Sequence, residues 1–66
     1  MVVFVNSKQQ TLEDGATVAR LIEALGMGQK RVAVEVNTEL VTKGEWQQFK
    51  LKEGDRIEIV SFVGGG

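Results

Sequence analysis

Apolar residues recur along the chain at two spacings: the alternation typical of a β-strand with one buried face, and the three-to-four spacing of an amphipathic helix. Alternation is clearest where Val32, Val34 and Val36 share one side of a segment and Glu35 lies on the other. Turn-forming residues such as Asn, Ser, Gly and Asp follow most of the patterned segments. The pattern predicts strands at residues 2–5, 10–12, 31–37, 40–41 and 56–63.

One segment, residues 17–25, carries the spacing of a helix. Its apolar residues stand at positions i, i+3, i+4 and i+7, which places them on one face. Thr17 is a suitable N-cap, because its hydroxyl accepts a hydrogen bond from a free backbone N–H of the first turn. Gly26 follows the helix, where a left-handed C-cap favours glycine. The predicted apolar face consists of Val18, Leu21, Ile22 and Leu25.

A shorter helical turn is predicted at residues 43–49, where Trp46 and Phe49 are three residues apart and both point to the core. In the last strand, Ile57 and Ile59 are predicted to face the helix. The order is therefore strand, strand, helix, strand, short strand, helical turn and strand. One helix packed across a mixed sheet of four to five strands is an α+β roll.

Composition and charge exclude several classes of protein. The 66 residues suffice for a single small domain. Because the chain has no cysteine and no histidine, it has no disulfide framework, zinc finger, iron–sulfur site or thiol nucleophile. The 8 basic and 9 acidic residues give a net charge of −1, so a basic face for nucleic acid is not expected.

The apolar segments are too short to span a bilayer, and the N-terminal apolar run lacks the basic region and cleavage site of a signal peptide. We therefore expect a soluble cytoplasmic protein that contacts neither membrane nor nucleic acid and is a monomer when free. The sequence also lacks a glycine-rich phosphate loop, a catalytic triad and a metal-ligand cluster. The chain is thus predicted to be a carrier for other enzymes, without catalytic activity, metal or bound cofactor.

The chain ends in three glycines, which are the first candidate for chemistry. Glycine lacks a Cβ, so the backbone of Gly64, Gly65 and Gly66 fits a narrow channel that excludes side chains. Fully extended, three residues reach roughly 10 Å. We predict a domain at residues 1–63 and a flexible tail at residues 64–66 that carries the terminal carboxylate into a partner's active site. A frayed chain end is the simpler alternative for a glycine run taken alone.

An apolar surface is the second candidate. If the first and last strands lie side by side, the residues that point away from the helix include Phe4 on one strand and Val60 and Phe62 on the other. These three residues are predicted to form a patch near the base of the tail that docks on a partner enzyme. The alternatives are a bulge that turns one of them inward, or scattered exposed side chains without a role.

Short motifs extend over the whole chain. They are V-A-V-E-V-N at residues 32–37, Glu39-Leu40-Val41, Glu45-Trp46, Leu51, Glu53-Gly54-Asp55, Ile57-Glu58-Ile59 and the terminal glycines. Together they resemble the sulfur carrier family of thiamine biosynthesis, ThiS, whose fold is the β-grasp, or ubiquitin-like, roll. The glycine tail is shared with other ubiquitin-like carriers, whereas the remaining motifs at these spacings favour ThiS. Gly64 is a departure, since many members have another residue there.

The resemblance implies that the chemistry takes place at Gly66. A ThiF-type activating enzyme would use ATP to adenylate the carboxylate of Gly66. Sulfur from a cysteine-derived persulfide, held by a sulfur-donor enzyme, would then convert the adenylate to a thiocarboxylate. The carrier would deliver this sulfur to a ThiG-type thiazole synthase that builds the thiazole ring of thiamine. ATP would be used by the activating enzyme, and the carrier itself would bind no cofactor.

Three alternatives remain open at this point. The first is a carrier that resembles the small subunit of molybdopterin synthase, which has the same chemistry and a different partner. The second is a ubiquitin-like modifier that is conjugated to lysine side chains through Gly66. The third is a plain binding module of ubiquitin-like fold with an inert tail. A thiocarboxylate, an isopeptide adduct and the identity of a co-purifying synthase distinguish these possibilities.

Overall fold

The computed structural model describes residues 1–62, so the predicted tail and the predicted domain boundary after residue 63 lie outside the described residues. Within this range, five strands form one sheet that is accompanied by one α-helix and one 3₁₀ turn. In chain order, the elements are β1 (Val2–Val5), β2 (Lys8–Thr11), α1 (Val18–Ala24), β3 (Val32–Val36), β4 (Glu39–Val41), the 3₁₀ turn (Lys43–Glu45) and β5 (Arg56–Ser61).

The strands lie in the order β2-β1-β5-β3-β4, so the last strand of the chain is the central strand of the sheet. β5 pairs with β1 in parallel and with β3 in antiparallel orientation. The two outer pairs, β1 with β2 and β3 with β4, are antiparallel hairpins. This confirms the predicted mixed sheet and the predicted neighbourhood of the first and last strands.

Both hairpins turn through two residues whose backbones are left-handed. In the first hairpin, Asn6 and Ser7 have φ values of 48° and 71°, and in the second, Asn37 and Thr38 have φ values of 51° and 73°. Two successive positive φ angles match the right-handed twist of the flanking strands, and asparagine tolerates this conformation better than most residues. The tight first turn also explains why β2 begins at Lys8, earlier than the predicted start at residue 10.

The helix α1 has the predicted ends. The hydroxyl of Thr17 accepts a hydrogen bond of 3.2 Å from the backbone N–H of Arg20, as expected of an N-cap. Gly26 follows the helix with a φ of +72°, the left-handed conformation that glycine adopts without strain. Of the four residues predicted for the apolar face, Val18, Leu21 and Ile22 are fully buried and Leu25 is half-buried against the core.

The core lies between the helix and one face of the sheet. Trp46 is buried in this core, and its indole N–H donates a hydrogen bond of 3.1 Å to the carbonyl of Val41. Phe49, which was predicted to be buried with it, is partly buried at the edge of the core. Within residues 1–62, no helix is long and apolar enough to cross a membrane. The buried sheet residues include Val3, Val5, Val34, Val36, Val41, Ile57 and Ile59.

Candidate functional site on the outer face of the sheet

The sheet face that points away from the helix is the site at which the sequence predicts docking. The pairing register fixes which side chains share this face, because cross-strand partners point to the same side. Glu58, Glu35 and Leu40 form one row across β5, β3 and β4. Val60 and Ala33 form the next row, towards the end of β5. The register between β3 and β5 is continuous from Val32 to Val36, so no bulge turns these side chains inward.

Three large apolar side chains are exposed among the described residues, and all three lie on this face. Leu40, Val60 and Phe62 are 62%, 58% and 60% exposed. Ala33 is half-buried beside Val60. We call Ala33, Leu40, Val60 and Phe62 the outer patch. Exposed apolar side chains that gather on one face are typical of a surface that binds another protein.

Phe4 lies on the same face but at the other end of it. Its cross-strand partner is Arg56, whose guanidinium carbon is 5.8 Å from the centre of the Phe4 ring. Val60 follows Arg56 by four residues along β5, which corresponds to about 13 Å. The structure therefore brings Val60 and Phe62 together and separates Phe4 from them. That Phe4, Val60 and Phe62 dock on a partner stays a prediction. The outer patch extends from Val60 towards Leu40 on β4, away from Phe4.

Phe62 continues the ladder beyond the end of β5. Its backbone N–H donates a hydrogen bond of 2.9 Å to the carbonyl of Arg31, which extends the pairing with β3 by one more step. The predicted reactive residues Gly64, Gly65 and Gly66 lie outside the described residues. They follow Phe62 closely in the sequence, so the outer patch includes the side chains that precede the predicted tail.

Two asparagines hold the central strand of this sheet in place. The sequence indicated Asn6 as a turn former and placed Asn37 at the end of the predicted strand 31–37, so the contacts of both side chains were missed. The amide of Asn6 donates a hydrogen bond of 3.1 Å to the carbonyl of Ile59 and accepts one of 2.8 Å from its N–H. The amide of Asn37 accepts a hydrogen bond of 3.0 Å from the N–H of Arg56 and donates one of 3.0 Å to the carboxylate of Asp55. The central strand is thus held on both sides by side chains from the two hairpin turns.

Asp55 is the buried carboxylate of the described residues, and hydrogen bonds to both of its carboxylate oxygens compensate its burial. Its second carboxylate oxygen accepts a hydrogen bond of 2.7 Å from the backbone N–H of Lys52, which closes the turn before β5. Within residues 1–62, every buried polar side-chain atom has a hydrogen-bond partner. The same part of the chain contains no group of three or more acidic side chains arranged for a metal ion.

Comparison with known proteins gives a consistent result. The sequence model of the ThiS family matches residues 2–66. The chain is 38% identical over 66 residues to a thiazole synthase of Paramagnetospirillum magneticum, and the alignment covers 100% of this chain and 20% of that protein. It is 39% identical over 54 residues to the sulfur carrier protein ThiS of Bacillus subtilis, with 82% of each chain covered.

A solved structure agrees with these sequence matches. The crystal structure of the thiamine biosynthesis protein ThiS from Geobacter metallireducens superposes with a TM-score of 0.83 and is 33% identical, with 100% of both chains covered. The chain spans about a fifth of the length of the thiazole synthases that it matches. The family match, the full-length structural match and the β-grasp topology lead to one conclusion: this chain belongs to the ThiS family.

Proposed function

We propose that this chain is a sulfur carrier that supplies sulfur for thiazole formation in thiamine biosynthesis. The observation that carries the proposal is the ThiS family match, which extends from residue 2 to residue 66 and so includes the terminal glycines. The related Bacillus subtilis protein is a sulfur carrier, and the related Paramagnetospirillum protein is a thiazole synthase. The proposed carrier is not itself an enzyme and works in the cytoplasm, where ATP is available to its partner.

The proposed chemistry takes place at the carboxylate of Gly66. A carboxylate resists nucleophilic attack because it is an anion. In the first step, a ThiF-type enzyme joins one carboxylate oxygen to the AMP part of ATP, and pyrophosphate leaves. In the second step, the outer sulfur of a cysteine-derived persulfide attacks the acyl carbon and AMP leaves, which gives an acyl disulfide. A second thiol, acting as the reductant, then attacks the cysteine sulfur of this disulfide, so the S–S bond breaks, a new disulfide forms and the outer sulfur stays on the acyl carbon. The product is a thiocarboxylate, which is a sulfur nucleophile that a thiazole synthase of the ThiG type uses directly.

The sequence leaves the C-terminal carboxylate as the place for this sulfur. With no cysteine in the chain, a persulfide cannot form on a side chain of this protein. Gly64 and Gly65 lack side chains, so the proposed tail at residues 64–66 suits a narrow active-site channel. In this proposal the folded domain serves recognition, and the tail serves chemistry.

Recognition is assigned to the outer face of the sheet. We propose that Phe4, Val60 and Phe62 contribute to docking on the activating enzyme or on the thiazole synthase. The exposure of Val60 and Phe62 supports this role, because their burial against a partner removes apolar surface from water. Phe4 is half-buried and the Arg56 guanidinium lies over its ring. We therefore propose that Phe4 contributes to docking at the edge of the interface, together with Arg56.

The proposal is tested by following the mass of the intact protein through the reaction. The chain is incubated with its activating enzyme, ATP and a sulfur donor, and then with thiazole synthase and its other substrates. We expect the mass to rise by the difference between sulfur and oxygen and then to return as thiazole forms. If the chain instead becomes joined through Gly66 to lysine side chains by isopeptide bonds, it would be a ubiquitin-like modifier. A protein whose mass never changes with competent partners would not be a carrier.

A further inference from the structure

Two carboxylates face each other at the centre of the outer face. Glu35 of β3 and Glu58 of β5 are direct cross-strand partners, and both side chains are exposed. Like charges directly opposite each other on neighbouring strands destabilise a sheet. The pair therefore carries a cost in the free protein that a neutral residue at either position would remove.

No cation of the described chain compensates this pair. The ion pairs among residues 1–62 join Arg20 to two glutamates and the N-terminal amine to an aspartate, and none of them includes Glu35 or Glu58. Arg56 is two residues before Glu58 and on the same face, but its guanidinium lies over the ring of Phe4. Arg31, at the end of this face, is likewise in none of the ion pairs formed among residues 1–62.

The outer patch borders the two carboxylates. Leu40 is the cross-strand partner of Glu35, and Val60 and Ala33 form the adjacent row. A protein that covers the patch therefore also removes water from the carboxylates. Two desolvated anions without a counter-ion are costly, so the covering protein must supply a cation. One arginine suffices, because its planar guanidinium has five N–H donors that can bind both carboxylates.

We infer that the outer face binds a protein surface that presents arginine or lysine opposite Glu35 and Glu58 and apolar side chains opposite the outer patch, and that thiazole synthase carries this surface. The inference rests on the proposed function. Thiazole synthase is chosen because the whole chain aligns with one fifth of such a synthase, so a domain of this family is there part of the same polypeptide as the synthase. A tethered domain meets the synthase surface at high effective concentration.

This arrangement predicts that stability and docking respond to the acidic pair in opposite directions. Glu58→Gln removes the repulsion, and we expect the Tm to rise by about 1–4 °C. The same change removes an anion that the synthase's cation contacts, and we expect the Kd to rise about tenfold at low salt. The salt dependence of binding should become shallower, because one charge pair fewer is screened.

The experiment measures both quantities for the parent, Glu35→Gln, Glu58→Gln and the control Glu39→Gln, with purified thiazole synthase as the probe. Glu39 is exposed and lies on the helix side of the sheet, since its cross-strand partner Val36 is buried there. The control therefore makes the same change in net charge away from the outer face. Its Kd should stay within about twofold of the parent's.

Two results would overturn the inference. The first is a Kd for Glu58→Gln and Glu35→Gln equal to the parent's. The second is an equal loss of binding for Glu39→Gln, which would show an effect of net charge alone. A parent that binds the synthase but never gains a thiocarboxylate would instead overturn the proposed function.

Discussion

At the scale of single residues, Asn6 and Asn37 show how far local sequence carries a prediction. Asn6 and Ser7 are turn formers, so the first turn is predictable from the sequence, whereas Asn37 was placed at the end of a predicted strand and lies in the second turn. The partners of the two asparagine side chains are not predictable, because Ile59 lies 53 residues from Asn6 and Arg56 lies 19 residues from Asn37. Only the fold brings these groups together, and each amide then replaces backbone hydrogen bonds beside the central strand.

Asn6→Gly separates the two roles of this residue. Glycine adopts the positive φ of the turn without strain, so the substitution removes only the amide that bonds to Ile59. Two hydrogen bonds are lost, and we expect unfolding to become easier by about 1–2 kcal/mol. Ser7→Gly is the matched control in the same turn, and it should be neutral or stabilising because it relieves a positive φ. Denaturant unfolding of both variants tests this, and equal stability of Asn6→Gly and the parent would contradict it.

At the scale of elements, the helix and the 3₁₀ turn follow closely from the sequence. Both depend on contacts within a few residues, such as the Thr17 cap and the two hydrogen bonds that the backbone N–H and hydroxyl of Thr42 donate to the Glu45 carboxylate. The strand β2 was predicted less well, since Lys8 and Gln9 give no apolar alternation. Its pairing with β1 is set by the tight turn and by the neighbouring strand. The strand preferences of single residues carry no information about either.

Glu45 makes the 3₁₀ turn sensitive to acid. The backbone N–H and the hydroxyl of Thr42 donate to its carboxylate and lower the pKa of Glu45 below its usual value of 4.5. A carboxyl whose pKa is lower in the folded state contributes stability above its unfolded pKa, and this contribution is lost as the pH falls through the folded value. Glu45→Gln should therefore lose less stability than the parent between neutral pH and pH values below 4.5.

Thermal unfolding as a function of pH measures this difference. Glu39→Gln is the control, because Glu39 makes none of the side-chain hydrogen bonds found among residues 1–62. The control should follow the acid profile of the parent. A Glu45→Gln profile that runs parallel to the parent's would show that this cap does not contribute to acid unfolding.

At the scale of the whole molecule, alternation predicted which residues point away from the helix, but not their spacing across the sheet. Phe4, Val60 and Phe62 do share a face, yet the register places Phe4 beside Arg56 at the far end. Leu40 was missed as a neighbour of the outer patch, although it is the cross-strand partner of Glu35. Register depends on turn geometry and on the pairing of distant strands, so the composition of a surface patch cannot be obtained from one strand at a time.

Phe62→Ala tests whether the outer patch docks on a partner. An aromatic side chain that is 60% exposed in the free protein and buried in a complex can contribute about 2 kcal/mol or more to binding. We expect Phe62→Ala to weaken binding to thiazole synthase or to the activating enzyme by about this amount. Gln9→Ala, on the same face beside Phe4, should bind as the parent does. Unchanged affinity of Phe62→Ala for both enzymes would remove the patch from the account and leave the carrier role standing.

The intact mass of three forms of the chain after complete activation tests the central claim, that sulfur is carried at Gly66, most directly. The forms are the parent, a chain without Gly66 and a chain extended beyond it. Deletion shortens the arm by about 3.3–3.6 Å, and displacements near 1 Å already cost about a hundredfold in rate. Extension turns the carboxylate into a peptide carbonyl that adenylation cannot activate. We predict that only the parent gains the mass difference between sulfur and oxygen, and that all three melt at nearly the same temperature. Sulfur on the truncated chain, or none on the parent with competent partners, would contradict the account.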